Sequence, residues 1–211
     1  VANSKHVAER LKKYYGREAK VIYPPVEVKL HSTLNIQHST LRNYFLIVSQ
    51  LYPHKNIDLA IEAFKNLPEF NLVIVGDGPE YKNLKIKIKK LKLNNVKLMG
   101  FVPDEELPYY YQNCSAYLIC NEEDFGISPI EAMSFGKPVL AYKKGGAAET
   151  ILEGVTGEFF NEPKADNLSG AVQSISKKIE NHHYSDLAIR KHSEKFGFER
   201  FKKEMLDLVK I

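Results

Sequence analysis

From residue 44 onwards, short apolar runs alternate with helical patterns, and this alternation constrains the fold more than any other feature. Mostly apolar runs of four or five residues lie at 44–48, 71–75, 96–99, 116–119 and 138–141. Such runs are typical of strands buried on both faces, and the segments between them carry apolar positions at helical spacing. The alternation predicts an α/β fold, a parallel sheet with helices on both faces.

The turns that follow these strands form the first candidate for a functional region. In open parallel sheets, ligands bind at the carboxyl ends of the strands, where the loops gather. We therefore expect five segments to lie along one edge of the sheet, namely residues 49–55, 76–79, 100–103, 121–128 and 143–147.

One of these segments continues into EEDFGISPIEA, which starts at residue 122 and carries two carboxylates, Glu123 and Glu131, separated by seven residues. Ser128 and Pro129 predict the first turn of a helix, whose free backbone N–H groups favour an anion. Carboxylates beside that turn can accept hydrogen bonds from sugar hydroxyls. The segment therefore predicts a site for a sugar joined to a phosphate.

A purely structural interpretation of part of this segment stays open. Ser128 and Glu131 have the spacing of a capping box, with Pro129 at the first helical position. In this interpretation, Glu131 closes a helix end and has no role in binding. That interpretation does not account for Glu123 or for the turn at Phe125.

Two further segments on the same edge suit a phosphate ligand. Lys55 follows the first strand and directly precedes a helix, where its ammonium can meet a diphosphate as a point charge or can simply be solvated. The turn at Gly76 and Gly78 lacks the third glycine of a dinucleotide fingerprint, but its small residues let a ligand approach the backbone.

Composition excludes some functions and leaves others open. The net charge of +4 does not predict nucleic acid as a partner, and no apolar run reaches the roughly 20 residues of a membrane span. Lysines between residues 82 and 97 favour a solvated face over a membrane-surface patch. Two cysteines, Cys114 and Cys120, predict no metal site and fit reduced thiols in a cytoplasmic protein.

The ends of the chain do not follow the βα repeat. Residues 4–15 predict an amphipathic helix and residues 20–23 a short strand, which together cannot form a core. We expect residues 1–28 to be the end of a preceding domain, 29–43 a linker, 44–195 the main domain and 196–211 a C-terminal helix. We also expect the numbering to start inside a longer protein, because the chain opens on Val1 and shows no signal peptide.

Several motifs occur in order along the chain: SQLYPHKNIDLAIEAF, LVIVGDGPE, a Gly-Phe-Val-Pro turn at 100–103, EEDFGISPIEA, GKPVLAY, GGAAETI and GVTGEFF. Together they resemble the C-terminal, donor-binding domain of the retaining glycosyltransferases of family four. This resemblance covers nearly all of residues 44–211, and residues 1–28 are similar to the end of the N-terminal domain in those proteins. It implies a Rossmann-like sheet forming the C-terminal half of a GT-B fold.

The resemblance also implies roles for individual residues. Glu123 would contact the transferred sugar and Lys55 the diphosphate, and these two form the expected catalytic pair. The expected donor-binding residues include Glu131 at the ribose, Val102 at the base and backbone amides at the distal phosphate; with the residues that border the pocket they are Gln50, Gly76, Gly78, Val102, Phe125, Gly126, Ile127, Ser128, Glu131, Gly145 and Gly146.

One position departs from the family pattern. The family commonly has Gly-Arg-Leu where this chain has Ser49, Gln50 and Leu51, so the arginine that pairs with the diphosphate is replaced by Gln50. Loss of a charge-assisted fork predicts weaker phosphate binding and weaker leaving-group stabilisation.

The implied reaction is transfer of a hexose from a nucleotide-diphosphate sugar, GDP- or UDP-linked, without a metal or other cofactor. The acceptor would be a glycan or a lipid-linked glycan bound by the N-terminal domain, with peripheral contact at the inner membrane face. The form of EEDFGISPIEA resembles mannosyltransferases of surface-polysaccharide assembly, which makes GDP-mannose the first donor expected. Two alternatives stay open, a nucleotide-sugar 2-epimerase of GT-B fold and a non-catalytic nucleotide-sugar-binding protein.

Overall fold

The computed structural model describes residues 1–26 and 41–209. Most of the predicted linker (29–43), the end of the predicted N-terminal piece (27–28) and the last two residues of the predicted C-terminal helix lie outside the described residues. The boundaries proposed for these units stay predictions.

Six strands form one parallel sheet in the order β3-β2-β1-β4-β5-β6. Their bounds are β1 Tyr44–Val48, β2 Asn71–Val75, β3 Val96–Gly100, β4 Ala116–Ile119, β5 Val139–Tyr142 and β6 Gly157–Phe160. The order reverses between β1 and β4, which is the position where open α/β sheets leave a crevice for a ligand.

The described helices are α1 Lys5–Tyr15, α2 Ile57–Lys65, α3 Tyr81–Lys90, α4 Leu107–Asn113, α5 Ile127–Ser134, α6 Ala147–Thr150, α7 Ala165–Glu180, α8 Asp186–Ser193 and α9 Phe198–Val209. Among the described residues, none of the helices combines the length and the apolar character that a membrane crossing needs.

Alternate residues of the strands enter two different cores, one on each face of the sheet. Phe45, Ile47 and Leu72 pack into the core under α2 and α7. Leu46 and Val73 point the other way and pack into the core under α4 and α5. Burial on both faces explains the continuous apolar runs and confirms the predicted α/β fold with a parallel sheet.

One local prediction is wrong. Residues 20–23 form no strand, since Val21 makes only an isolated parallel bridge to Ala2 and two prolines follow.

Candidate functional site

A cavity of about 360 Å³ opens at the carboxyl ends of β1 and β4, where the strand order reverses. Its walls come from the segments after these two strands and from the start of α5. Among the predicted site residues, it brings together Gln50, Lys55, Glu123, Phe125, Gly126, Ile127 and Ser128. Two of the five segments expected at this edge of the sheet, residues 49–55 and 121–128, therefore border the cavity.

Lys55 and Glu123 meet inside this cavity although 68 residues separate them in sequence. The Lys55 Nζ donates to the Glu123 Oε1 at 2.7 Å, and the two side chains are only 19% and 25% exposed. A cation and a carboxylate held side by side can receive the two parts of a sugar phosphate. The ammonium suits a phosphate oxygen, and the carboxylate suits a sugar hydroxyl.

The start of α5 corrects the capping-box interpretation. Gly126 is the N-cap residue with a φ of 87°, and no side chain caps the helix. The helix begins at Ile127, so Ser128 already lies inside the first turn and cannot serve as its N-cap. Pro129 is tolerated there because the first four N–H groups of a helix have no intrahelical acceptor.

This helix start faces the cavity with unbonded donors. The N–H groups of Ile127 and Ser128 belong to the first turn, which has no intrahelical partner and carries partial positive charge. Both residues line the cavity. The helix start with free N–H groups that the sequence predicts is present, with Gly126 rather than Ser128 as its N-cap residue. Anion binding there stays a prediction.

Gly145 and Gly146 pack against the backbone of the acidic loop, residues 120–126 between β4 and α5. The Gly146 N–H donates to the Glu123 carbonyl at 2.7 Å, and Gly145 forms a bridge with Glu123. A Cβ on Gly146 would lie 2.4 Å from the Phe125 Cα, so only glycine permits this approach. These glycines position the loop and do not line the cavity.

Gly76 and Gly78 likewise pack against the backbone of a neighbouring loop. A Cβ on Gly76 would lie 1.8 Å from the Ser49 carbonyl oxygen, and one on Gly78 would lie 2.8 Å from the Leu51 nitrogen. The loop after β2 therefore packs directly on the backbone that carries Gln50. The sequence predicts that the small residues Gly76 and Gly78 let a ligand approach the backbone. In the structure, the backbone of Ser49 and Leu51 occupies that space instead.

The side chain of Phe125 anchors the acidic loop to the rest of the protein. It is buried in a small core with Val26, Ile130 and Phe196, and its ring stacks on Tyr23 at 5.6 Å. Phe125 therefore borders the cavity while its side chain fixes the loop to this small core.

Glu131 and Val102 lie outside the main cavity. Glu131 lines a smaller cavity of about 90 Å³ and accepts a hydrogen bond from the Tyr111 hydroxyl at 2.7 Å. Burial, and then the neighbouring Tyr117 and Glu131, hold the pKa of Tyr111 well above its usual range. The Val102 side chain is buried in the core, which leaves its backbone in the loop after β3.

Residues outside the expected catalytic and donor-binding set also line the main cavity, among them Asn3, Tyr117 and Asn121. Asn121 directly follows β4, so its place on the rim follows from the topology. Tyr117 lies within β4, where its hydroxyl donates to the Val48 carbonyl at 2.9 Å. No local signal indicates Asn3, which reaches the cavity from the N-terminal residues.

The sequence and the fold of this chain match known proteins. The family model described as "Glycosyl transferases group 1" matches residues 35–192, which is most of the chain. The chain belongs to this glycosyltransferase family.

Two curated relatives illustrate the range of this group 1 family. An uncharacterized glycosyltransferase of Methanocaldococcus jannaschii is 26% identical over 93% of this chain and 55% of the relative. The GDP-mannose-dependent alpha-(1-6)-phosphatidylinositol monomannoside mannosyltransferase of Mycolicibacterium smegmatis is 31% identical over 64% of this chain and 38% of the relative. The chain thus spans about half of the first of these relatives and less of the second.

Among solved structures, Anabaena HepE in complex with UDP and glucose superimposes with a TM-score of 0.86 at 25% identity. The match covers 99% of this chain and 62% of HepE. It confirms the predicted Rossmann-like, GT-B-type fold of this group 1 glycosyltransferase domain.

Proposed function

We propose that this domain binds the nucleotide-diphosphate sugar donor of a retaining hexosyltransferase, with GDP-mannose as the first donor to test. In the full protein the hexose would pass to a glycan or lipid-linked acceptor. That acceptor is held by a part of the protein outside these residues.

One observation carries the proposal. Lys55 and Glu123 are in contact in a cavity that also receives the uncapped start of α5. A cation, backbone N–H donors and a hydroxyl acceptor are the groups that suit a sugar and the phosphate attached to it. Residues that carry all three line this cavity.

The charges of these groups fit the course of a transfer reaction. When the bond between sugar and diphosphate breaks, negative charge grows on the leaving phosphate, and Lys55 and the helix start stabilise it. The Glu123 carboxylate orients the sugar by accepting hydrogen bonds from the sugar hydroxyls. Because the family retains configuration, the acceptor attacks from the leaving-group side, and the two-carboxylate double displacement of glycosidases is not required.

The proposal also covers the location of the protein and the alternative activities. The buried, free thiols Cys114 and Cys120 are consistent with a cytoplasmic location. Peripheral membrane contact follows only from the proposed lipid-linked acceptor. Neither relative reported above is named as an epimerase, and no observation favours that alternative.

The test is transfer activity of the full-length enzyme with Glu123→Ala. We expect a loss of about a hundredfold in kcat/KM, roughly 3 kcal/mol of transition-state stabilisation. Glu153→Ala is a matched control, because Glu153 is an exposed carboxylate paired with Lys143 at 2.8 Å outside the cavity. Near-normal turnover of the Glu123→Ala enzyme would refute the assigned role.

A further inference from the structure

Three consecutive carboxylates in the loop after β4 each contact a different basic side chain. Glu122 Oε1 lies 3.1 Å from His6 Nε2, Glu123 pairs with Lys55, and Asp124 Oδ1 accepts from Arg10 at 2.7 Å. Of these three pairs, only that of Lys55 and Glu123 has both residues in the lining of the main cavity. The two flanking pairs join the loop to α1, more than a hundred residues away in sequence.

The two α1 residues are suited to hold this loop together. His6 and Arg10 are four residues apart and therefore lie on one face of the helix. Their partners flank Glu123 on both sides. The helix thus contacts the loop at two points while the side chain of Glu123 reaches Lys55.

The position of α1 is itself fixed by a distant carboxylate. The first turn of α1 contains no acidic residue, and Glu149 supplies one from α6. Its two oxygens accept the N–H groups of Lys5 and His6, each at 2.8 Å. One of them also accepts the Tyr23 hydroxyl at 3.1 Å.

Glu149 also links the start of α1 to the acidic loop. It lies in α6, which begins directly after Gly146, and Gly146 bonds the Glu123 carbonyl. The start of α1 and the acidic loop are therefore fixed to one short element. A carboxylate at a helix N-terminus is also favoured by the helix dipole.

We propose that α1 is a positioning element for the sugar-binding loop, in which His6 and Arg10 hold Glu122 and Asp124 so that Glu123 keeps its orientation. The part that concerns sugar rests on the proposed function. The pair of Arg10 and Asp124 is individually weak, since the two side chains are 55% and 58% exposed. The effect therefore requires both pairs acting on one loop.

The first test measures the loop without reference to activity. Hydrogen exchange of amides 121–128 is compared between the wild-type chain and the His6→Ala/Arg10→Ala variant. We expect exchange to rise about threefold or more, because exchange reports the free energy of local opening. Lys12→Ala is the matched control, since Lys12 forms an exposed pair with Glu18 on the same helix. Unchanged exchange in the double variant would overturn the proposal.

The second test links the loop to the sugar. For the double variant of the full-length enzyme, we expect the KM for the nucleotide sugar to rise about threefold to tenfold. Affinity for the nucleotide diphosphate without sugar should stay within about twofold of wild type. Arg10→Lys should retain most of the wild-type KM because the charge is kept. A loosened loop with an unchanged KM would overturn the positioning role.

These two measurements separate this proposal from the proposed function. If the wild-type protein binds no nucleotide sugar, the proposed function fails, and the exchange data alone decide whether α1 holds the loop. If the wild-type protein binds donor while exchange is unchanged in the double variant, the proposed function stands and the role of α1 is refuted.

Discussion

The contact between Lys55 and Glu123 gives the sharpest prediction, because a structural ion pair and a ligand site respond differently to its removal. The pair is 2.7 Å long, and both side chains are less than a third exposed. Exposed pairs contribute about 0–1 kcal/mol, whereas removing one partner of a buried pair costs about 3–5 kcal/mol. We therefore expect Lys55→Met to lower the free energy of unfolding by about 1–2 kcal/mol.

The double variant Lys55→Met/Glu123→Gln separates the two roles. Neutralising Glu123 removes the carboxylate left without its cation, so about 1 kcal/mol of stability should return as a coupling energy. Lys55→Met should also weaken donor binding, because a charged contact to phosphate contributes about 1.5–3 kcal/mol, or tenfold and more in Kd. This loss of donor affinity should persist in the double variant.

The assays are urea unfolding for stability and calorimetric titration with a nucleotide sugar for affinity. Lys143→Met is the control, since Lys143 forms an ion pair of similar length with Glu153 outside the cavity. It should leave donor affinity unchanged. A double variant that regains both stability and donor affinity would refute the reasoning, because the pair would then be structural only.

Three further predictions follow from other contacts. Gln50→Arg restores a charged fork at the cavity wall and should tighten nucleotide-diphosphate binding about tenfold, a change that titration would detect; unchanged affinity would count against a phosphate beside Gln50. Gly146→Ala places a methyl group 2.4 Å from the loop backbone and should lower the melting temperature by several degrees, whereas Gly170→Ala, in open space within α7, should raise it slightly; equal effects would contradict the packing argument. Burial lowers the pKa of His192, whose Nε2 donates to the Thr150 carbonyl at 2.8 Å, so stability present above the unfolded pKa of about 6.5 should be lost as the pH falls below it. His192→Gln should flatten the melting temperature between pH 7 and 5, and an undiminished slope would disprove this cause.

The sheet was predictable because its signal is local and repeated. The four inner strands β2, β1, β4 and β5 bury both faces, so the runs around Leu46 and Val73 are apolar without interruption. Parallel pairing then requires the loops to gather at one edge. Lys55 and Glu123 follow β1 and β4, so they are expected at the same edge of the sheet.

The errors arose where backbone geometry or distant contacts decide. Ser128 has the spacing of a cap, but Gly126 adopts a positive φ and starts the helix earlier. Glu149 appeared only as part of a motif, and its role at the start of α1 depends on a contact across more than 140 residues. No local pattern contains such a contact, because it is set by how the elements pack.

Binding of the sugar-phosphate part of a nucleotide sugar in the cavity at Lys55 and Glu123 is measured by calorimetric titration of this domain with UDP, GDP, ADP and their hexose derivatives. We expect saturable one-site binding of one nucleotide series, weakened at least about tenfold by Lys55→Met. If no member of the panel binds, or if Lys55→Met leaves binding intact, the cavity is not the donor site.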